Sequence, residues 1–332
     1  MDNDALSLFA INASRDFGTR VAEKLNVSLG DHQEQEFEDG EHKSRPLVNV
    51  RNKDVFVIQS LYSGPHQSVN DKLCRLLFFL GALRDASAKT VTAVIPYLAY
   101  ARKDKKTKSR DPVTTRYVAM LFEAIGIDRI VTLDVHNLAA FQNAFRCRSD
   151  HLEATPLFVD YFATGLQQEH RIAVVAPDAG GIKRAESFRA RLAQRLNKDI
   201  PFGFMEKSRS KGLLTAGRIF GDVTDRYVII IDDMISTGGT LYHAAKICKA
   251  SGARTVVAAA THGLFVAGAN QVLAGGDLDK IIVTDTIPPF RLEERLVRDK
   301  LVILSVAGLF AETIKRIYTG GSLVELLEAQ VS

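Results

Sequence analysis

The stretch Val228–Ala244 reads VIIIDDMISTGGTLYHA and indicates the fold class of this chain. It begins with a β-branched run, which predicts a buried strand that ends in the paired carboxylates Asp232 and Asp233. A loop of Ser, Thr and Gly follows, and apolar residues at helical spacing start near Thr240. A strand, a glycine-rich loop and a helix in this order are typical of an α/β protein whose loops carry the site.

The loop between the predicted strand and helix suits a phosphate monoester. Backbone N–H groups and hydroxyls converge there, and the start of the helix adds positive potential. The loop residues are Ser236, Thr237, Gly238, Gly239 and Thr240. Because carboxylates accept hydrogen bonds from sugar hydroxyls and hold Mg²⁺ through its waters, the stretch predicts a sugar-phosphate site. The alternative is a strand end followed by an ordinary turn and helix cap.

The same pattern recurs along the chain. Short β-branched runs predict further buried strands, with segments of helical spacing between them. These runs begin at Val55, Thr90, Arg129, Ile172, Thr255 and Lys280, and the clearest helices follow Val69 and Thr240. Alternating strands and helices predict α/β architecture with mainly parallel sheets flanked by helices. Residues 55–100 and 227–265 share the order strand, loop, helix, strand, which indicates two similar halves.

Length and composition set further bounds. At 332 residues the chain exceeds one typical core, so we expect two domains, 1–150 and 151–305. The net charge of +4 is too small to indicate a nucleic-acid partner. No apolar run is long enough to cross a membrane, and acidic residues occupy the N-terminus where a signal peptide is basic. We therefore expect a cytoplasmic protein.

Two further strand ends carry polar residues. The segment VVAPDAGGIKRA places Asp178 after a strand, facing the same crevice as the phosphate loop. In the segment TLDVHN, alternation places Asp134 and His136 on one face of a strand and Val135 on the other. The alternatives are a tight turn for the first segment and a hydrogen-bonded core pair for the second.

Three loops complete the set of candidates. The run Arg102–Arg110 holds six Lys or Arg and fits an electrostatic clamp for a polyphosphate, or a solvated loop. The sequence FEDGE, at Phe37–Glu41, offers an aromatic face and acceptors for a purine, or a polar turn. Lys207 and Arg209 fit a flap that supplies cations to transferring phosphates, or a plain loop. The sequence contains no P-loop, dinucleotide-binding or protein-kinase motif, so other residues would hold a nucleotide.

Together and in this order, these motifs resemble the ribose-phosphate pyrophosphokinase family. The resemblance covers nearly the whole chain and includes LFAINASRDFGTRVAEKL, FEDGE, VIPYLAYARKDKK, VVAPDAGGIKRA, IIIDDMISTGGT and SVAGLFAETIKRI. It implies two domains, each similar to a type I phosphoribosyltransferase, with the active site between them. It also implies a returning C-terminal segment, 306–332, that joins the first domain, and a homo-oligomer that is a dimer or a ring of dimers.

The reaction that the resemblance implies moves the β,γ-diphosphoryl group of Mg·ATP to the C1 hydroxyl of ribose 5-phosphate. The products are 5-phosphoribosyl 1-diphosphate and AMP, and the reaction serves nucleotide biosynthesis. By the same resemblance, Lys207 and Arg209 are catalytic, and His136 and Asp178 bind Mg²⁺. The implied ATP-binding residues are Phe37, Asp39, Glu41, Arg102, Lys103, Asp104 and His136. The implied ribose 5-phosphate-binding residues are Asp232, Asp233, Ser236, Thr237, Gly238, Gly239 and Thr240.

Two other functions stay open from the sequence. A phosphoribosyltransferase has a similar Asp-Asp and Thr-Gly-Gly-Thr loop, but it is usually shorter and lacks FEDGE. A non-catalytic, synthetase-associated regulatory subunit would keep the fold and lose the active-site charges, whereas those charges are present here. Two positions also depart from the family: Lys103 replaces a frequent Gln, and Ser236 replaces a frequent acidic residue.

Overall fold

The computed structural model describes residues 5–206, 209–210, 213–214 and 218–329. The chain divides into two compact units. One contains the chain up to Glu153 together with Ala307–Leu326, and the other contains Ala154–Val306. The His151–Pro156 stretch holds the first crossing between the units.

The first unit is built from strands that alternate with helices. Its strands are β1 (Leu6–Ala10), β2 (His32–Glu36), β3 (His42–Pro46), β4 (Asp54–Ile58), β5 (Thr90–Ile95), β6 (Arg129–Leu133) and β7 (Arg148–Leu152). The helices between them are α1 (Arg15–Leu25), α2 (Val69–Asp85), α3 (Thr114–Ala124) and α4 (Leu138–Ala144).

The second unit repeats this alternation. Its strands are β8 (Ile172–Ala176), β9 (Phe202–Glu206), β10 (Arg209–Ser210), β11 (Leu213–Leu214), β12 (Arg218–Phe220), β13 (Tyr227–Ile235), β14 (Thr255–Gly263), β15 (Lys280–Thr284) and β16 (Leu301–Leu304). Its helices are α5 (Thr155–Gly165), α6 (Ile182–Leu196), α7 (Gly239–Ala250), α8 (Ala269–Leu273) and α9 (Glu294–Lys300). Two helices follow β16, namely α10 (Ala307–Thr319) and α11 (Leu323–Ala329).

The central sheet of the first unit is parallel throughout, in the order β1-β4-β5-β6-β7. Its strands are apolar runs because both faces are covered, and the Val55–Ile58 segment is completely buried. Strands β2 and β3 form a separate antiparallel hairpin. This hairpin carries the FEDGE motif, and the sequence predicted only a loop there.

The sheet of the second unit has the order β12-β9-β8-β13-β14-β15-β16. All neighbours are parallel except β12, which pairs antiparallel with β9. After β8 the chain adds β9 on one side, and β13 then pairs on the other side of β8. The strand order therefore reverses at β8 and β13, which is where open α/β sheets bind ligands.

The predicted α/β architecture with mainly parallel sheets is confirmed. Each of the predicted strand-forming runs contains a strand, and the predicted helices are α2 and α7. Strand β13 continues past the two aspartates to Ile235, because its apolar residues still pair with β14. None of the helices in the described part of the chain is long and apolar enough to span a membrane.

Helix α10 returns to the first unit and packs on α1. The ring of Phe310 is fully buried and meets the ring of Phe17 edge to face, with centroids 5.6 Å apart. Such a contact combines a large buried apolar area with a favourable aromatic geometry.

Replacement of Phe310 by Ala is expected to lower the free energy of unfolding by about 3–5 kcal/mol, since it leaves a cavity where a buried aromatic ring stood. Urea unfolding followed by circular dichroism measures the loss. Val324, which is 63% exposed on α11, is the matched control, and Val324→Ala is expected to change stability by less than about 0.5 kcal/mol. Equal effects of the two substitutions would mean that α10 does not stabilise the first unit.

Candidate active site

The loop that joins β13 to α7 has the geometry of an anion-binding turn. Gly238 has a φ of 80°, and a Cβ atom there would lie 2.7 Å from Cδ2 of Leu273, so both conformation and space require glycine. Gly238 is the N-cap of α7 and has no side chain to accept a hydrogen bond, whereas Oγ1 of Thr237 accepts from the N–H of Gly239 at 3.4 Å. Thr237 and Thr240 are exposed beside this turn.

Neighbouring segments hold this loop in place. The N–H of Leu264 donates to the carbonyl of Ile235 at 2.9 Å, and the N–H of Val266 donates to that of Ser236 at 3.0 Å. Below them, the buried His262 has Nδ1 3.0 Å from Oγ1 of Thr286. The loop is thus supported by backbone bonds and a buried polar network before any ligand arrives.

Asp232 and Asp233 form a buried pair of carboxylates beside the loop. Their side chains are 19% and 5% exposed, and Nη1 of Arg184 lies 3.7 Å from one oxygen of each. Burial, reinforced by the hydrogen bond and charge of Asp233, raises the pKa of the Asp232 carboxyl. The charge of Arg184 acts in the opposite direction but is the weaker influence, so the pKa of Asp232 stays raised.

Asp178 leaves the same sheet edge as the acidic pair, because β8 and β13 are parallel neighbours. Its Oδ1 accepts hydrogen bonds from the N–H groups of Gly180 at 3.0 Å and Gly181 at 3.2 Å. The tight turn that the sequence offered as an alternative is therefore present, and its hydrogen bonds fix the orientation of the Asp178 carboxylate. The turn and the placement of this carboxylate at the sheet edge are compatible.

The two predicted catalytic cations are only partly described. Lys207 lies outside the described residues. Arg209 begins the two-residue strand β10, whose backbone pairs with β11, and its side chain also lies outside the description.

In the first unit, Phe37, Asp39 and Glu41 lie at the tip of the hairpin, residues 37–41. The N–H of Phe37 donates to the carbonyl of Glu41 at 2.7 Å, and Oδ1 of Asp39 accepts from the N–H of Glu41 at 3.0 Å. Asp39 therefore shapes the tip. The ring of Phe37 is 43% exposed, with Nζ of Lys43 5.6 Å from its centroid, and offers a face for a planar base.

The basic run after β5 is an ordered loop. Nζ of Lys103 donates to Oδ2 of Asp111 at 2.6 Å and to Oγ1 of Thr107 at 3.0 Å. These hydrogen bonds, together with backbone donors of the loop, hold the pKa of the Asp111 carboxyl well below its usual range. Lys103 thus stabilises the loop itself, whereas Arg102 is exposed.

The loop after β6 differs from the sequence prediction. Asp134 and His136 do not share a strand face, because β6 ends at Leu133 and Asp134 has a left-handed φ of 38°. His136 is exposed. Its neighbour Asn137 donates through Nδ2 to Oδ2 of Asp104 at 2.5 Å and caps α4 through Oδ1, which accepts from Ala140.

The structure groups the predicted ATP-binding residues in the first unit and the predicted ribose 5-phosphate-binding residues in the second. His136 and Asp178, the predicted metal ligands, belong to different units. Within the described ranges, no cluster of three or more His, Cys, Asp or Glu side chains is arranged to hold a metal.

The sequence patterns did not indicate two residues that contact candidate site residues, Arg184 and Asn137. Each stands inside a motif that was recognised, GIKRA and DVHN. The motif alone does not reveal their partners, because Asp232 and Asp233 are 48 or more positions from Arg184, and Asp104 is 33 positions from Asn137.

Comparison with known proteins gives the family. The model for the N-terminal domain of ribose phosphate pyrophosphokinase matches residues 6–126, and that for the phosphoribosyl synthetase-associated domain matches residues 205–328. A ribose-phosphate pyrophosphokinase from Fusobacterium nucleatum subsp. nucleatum is 38% identical over 322 residues, which cover 97% of this chain and 98% of the relative. One from Haemophilus ducreyi is 39% identical over 326 residues, covering 98% of this chain and 99% of the relative.

A solved structure agrees with these relatives. The crystal structure of phosphoribosylpyrophosphate synthetase from Mycobacterium smegmatis superposes with a TM-score of 0.86 at 36% identity, covering 96% of this chain and 100% of that chain. This match confirms the predicted fold class. The chain therefore belongs to the ribose-phosphate pyrophosphokinase family, and its activity is that of a transferase that moves a diphosphoryl group to ribose 5-phosphate.

Proposed function

We propose that the first unit binds ATP, the second binds ribose 5-phosphate, and residues Asp232–Thr240 form the sugar-phosphate site. The observation that carries this proposal is that a glycine-capped loop adjoins a buried carboxylate pair in which the pKa of Asp232 is raised. A phosphorylated sugar satisfies both features at once, because its phosphate suits the loop and its hydroxyls suit the carboxylates.

Within the sugar site, the 5-phosphate accepts hydrogen bonds from Thr237, Thr240 and the first turn of α7. The ring hydroxyls donate to Asp232 and Asp233. These contacts at opposite ends of the sugar leave the C1 hydroxyl oriented by the protein, and such orientation supplies a large share of the rate of a transfer reaction. Ser236 and Gly239 complete the loop.

In the first unit, the ring of Phe37 stacks on adenine and the tip of the hairpin accepts hydrogen bonds from the purine amino group. Arg102 binds the ATP phosphates, since a guanidinium makes paired hydrogen bonds with phosphate oxygens. Asp104 and His136 lie on loops joined by Asn137 and serve the same nucleotide. Lys103 acts there by holding the loop around Asp111.

The carboxylates of the second unit fit Mg²⁺. Asp232 and Asp233 offer carboxylate oxygens at the end of β13, and Asp178 leaves the same sheet edge. Mg²⁺ usually takes one or two carboxylates, with waters and substrate phosphates completing the shell, which agrees with a site that lacks a full protein cage. When bound, the ion would offset charge on the transferring phosphates. His136 is likewise proposed as a ligand of Mg²⁺.

In the chemical step, the C1 hydroxyl oxygen attacks the β-phosphorus of ATP. The bond from the β-phosphorus to the bridging oxygen of the α-phosphate breaks, and AMP leaves with that oxygen. The hydroxyl proton passes to solvent or a nearby base. Lys207 and Arg209 offset the negative charge that develops in the transition state. The transfer is direct and needs no covalent enzyme intermediate.

The chain is proposed to act as a homo-oligomer, a dimer or a ring of dimers, in the cytoplasm and in nucleotide biosynthesis. Helix α3 supports association, because Tyr117, Met120 and Leu121 lie on one face and are each about half exposed. The proposed domains are 1–150, joined by 306–332, and 151–305.

The proposed reaction can be tested directly. Purified protein incubated with ATP, Mg²⁺ and ribose 5-phosphate is expected to form AMP and 5-phosphoribosyl 1-diphosphate in equal amounts. Lys207→Ala is expected to lower kcat by about 100- to 1,000-fold, as for the loss of one transition-state donor. Chromatographic separation of the nucleotides measures both.

Lys24, an exposed lysine on α1, gives the control, and Lys24→Ala is expected to leave kcat unchanged. Absence of AMP at all substrate concentrations would contradict the enzymatic assignment and favour a regulatory subunit. Full activity of Lys207→Ala would contradict the role of the flap alone.

The second prediction concerns the acidic pair. Burial raises the folded-state pKa of Asp232 to about 8, so the stability that its protonated form provides is full below the unfolded-state pKa of 3.8 and falls as pH rises toward the folded-state pKa. Asp232→Asn is therefore expected to raise the melting temperature of the ligand-free protein, with a gain that grows from about pH 5 toward about pH 8 and is constant at higher pH. The gain is about 1.4 kcal/mol for each pKa unit removed. Thermal unfolding across this pH range measures it.

Asp199→Asn replaces an exposed aspartate of the same unit and is expected to show no such pH dependence. Ribose 5-phosphate with Mg²⁺ is expected to stabilise the unsubstituted chain more than Asp232→Asn. Equal stabilisation of both would place the sugar elsewhere.

A further inference from the structure

The hairpin of β2 and β3 packs against α2, and one face of the hairpin is polar. Cross-strand pairs place Glu34 opposite Ser44 and Glu36 opposite His42, and alternation directs these side chains to one side. Two-stranded hairpins are marginally stable alone, so the orientation of this one depends on what it packs against. The hairpin makes its extensive contacts with α2 through β3.

Arg75 of α2 reaches the end of the hairpin nearest its tip. Its Nη2 donates to Oε2 of Glu36 at 2.8 Å, and Glu36 immediately precedes Phe37. The Arg75 side chain is only 6% exposed, whereas that of Glu36 is 64% exposed. The pair therefore joins a largely desolvated cation, fixed in the interior, to a carboxylate at the start of the tip.

The helix that carries Arg75 is firmly anchored. Helix α2 begins with a capping box between Ser68 and Asp71, and its residues Leu76 and Phe79 are fully buried. A guanidinium on such a helix keeps a defined position, and its Nε meets no acceptor within the described part of the chain. Loss of the Glu36 contact would remove the hydrogen bond from Nη2 and leave this buried charge with the longer-range attraction of Glu34 and Asp71.

The other attachments of the hairpin lie farther from the tip or act through ring contact. Oε1 of Glu34 accepts from the backbone N–H of Asn12 at 2.7 Å and lies 3.0 Å from Nε2 of His32. The ring of His42 stacks on Phe78 with centroids 5.4 Å apart. Glu34 and His32 fix the start of the hairpin, so the ion pair of Arg75 is the polar link closest to Phe37.

We propose that Arg75 is a positioning residue for ATP, which holds the hairpin tip through Glu36 so that Phe37 presents its ring to the purine. This inference rests on the proposed adenine site. Arg75 does not touch the nucleotide in this scheme. A preorganised tip lowers the cost of ordering on binding, so the contribution of Arg75 belongs to ATP affinity and not to the chemical step.

The test is steady-state kinetics of Arg75→Gln, Glu36→Gln and the double variant. Each single substitution is expected to raise KM for ATP about tenfold, or about 1.4 kcal/mol, with kcat and KM for ribose 5-phosphate within about twofold. The double variant is expected to resemble the single ones, because both remove the same interaction. Arg75→Lys is expected to restore most of the affinity, since an ammonium also pairs with Glu36.

Arg84→Gln is the matched control. Arg84 is on the same helix and pairs with Asp128 at 2.9 Å, away from the hairpin, so this substitution is expected to leave KM for ATP unchanged. Glu36→Gln changes an exposed side chain and keeps the test valid if Arg75→Gln folds poorly, which circular dichroism would show.

Equal rises in both KM values, or strictly additive effects in the double variant, would overturn the positioning role. Phe37→Ala separates this inference from the proposed function. If Phe37→Ala raises KM for ATP while Glu36→Gln does not, the role of Arg75 fails and the adenine site stands. If Phe37→Ala has no effect, the adenine site itself is wrong.

Discussion

The parallel pairing of β8 with β13 is the constraint on which the rest of the second unit depends. Parallel neighbours end at the same edge of a sheet, so Asp178 and the Asp232–Thr240 loop leave the sheet together. The order of strands reverses at this pair, and open α/β sheets bind ligands beyond the carboxyl ends of such a pair. A left-handed glycine at 238 then turns the chain sharply enough for α7 to start beside the acids.

This arrangement brings opposite electrostatic requirements together. The helix start and loop favour an anion, while the carboxylates disfavour one and are themselves buried. In the ligand-free protein, Arg184 lies near both carboxylates, and burial raises the pKa of Asp232. In the proposed function, a phosphorylated sugar with a divalent cation would resolve the conflict by supplying the anion to the loop and positive charge or donors to the acids. The proposed function therefore explains why two carboxylates are buried side by side, although this burial disfavours stability.

The residues proposed to bind ATP are held differently. They lie on a hairpin tip and two loops, which are secured by polar contacts within a loop and between distant segments. Asn137 joins Asp104, Lys103 joins Asp111, and Arg75 joins Glu36. Each contact orders a segment that has little apolar surface of its own to bury. Such links hold flexible segments in the geometry that a ligand requires.

The sequence by itself determined seven strands and two helices, because periodicity and β-branched runs reflect local burial. These are β4, β5, β6, β8, β13, β14 and β15, with α2 and α7. It also predicted the phosphate loop, since its glycines, hydroxyls and carboxylates are contiguous, and the resemblance extended this to the reaction. Only the tertiary structure decided that FEDGE caps a hairpin, that β6 stops before Asp134, and that Arg184, Asn137 and Arg75 have acidic partners. Those outcomes depend on residues distant in the chain, and local patterns carry no information about which distant groups meet.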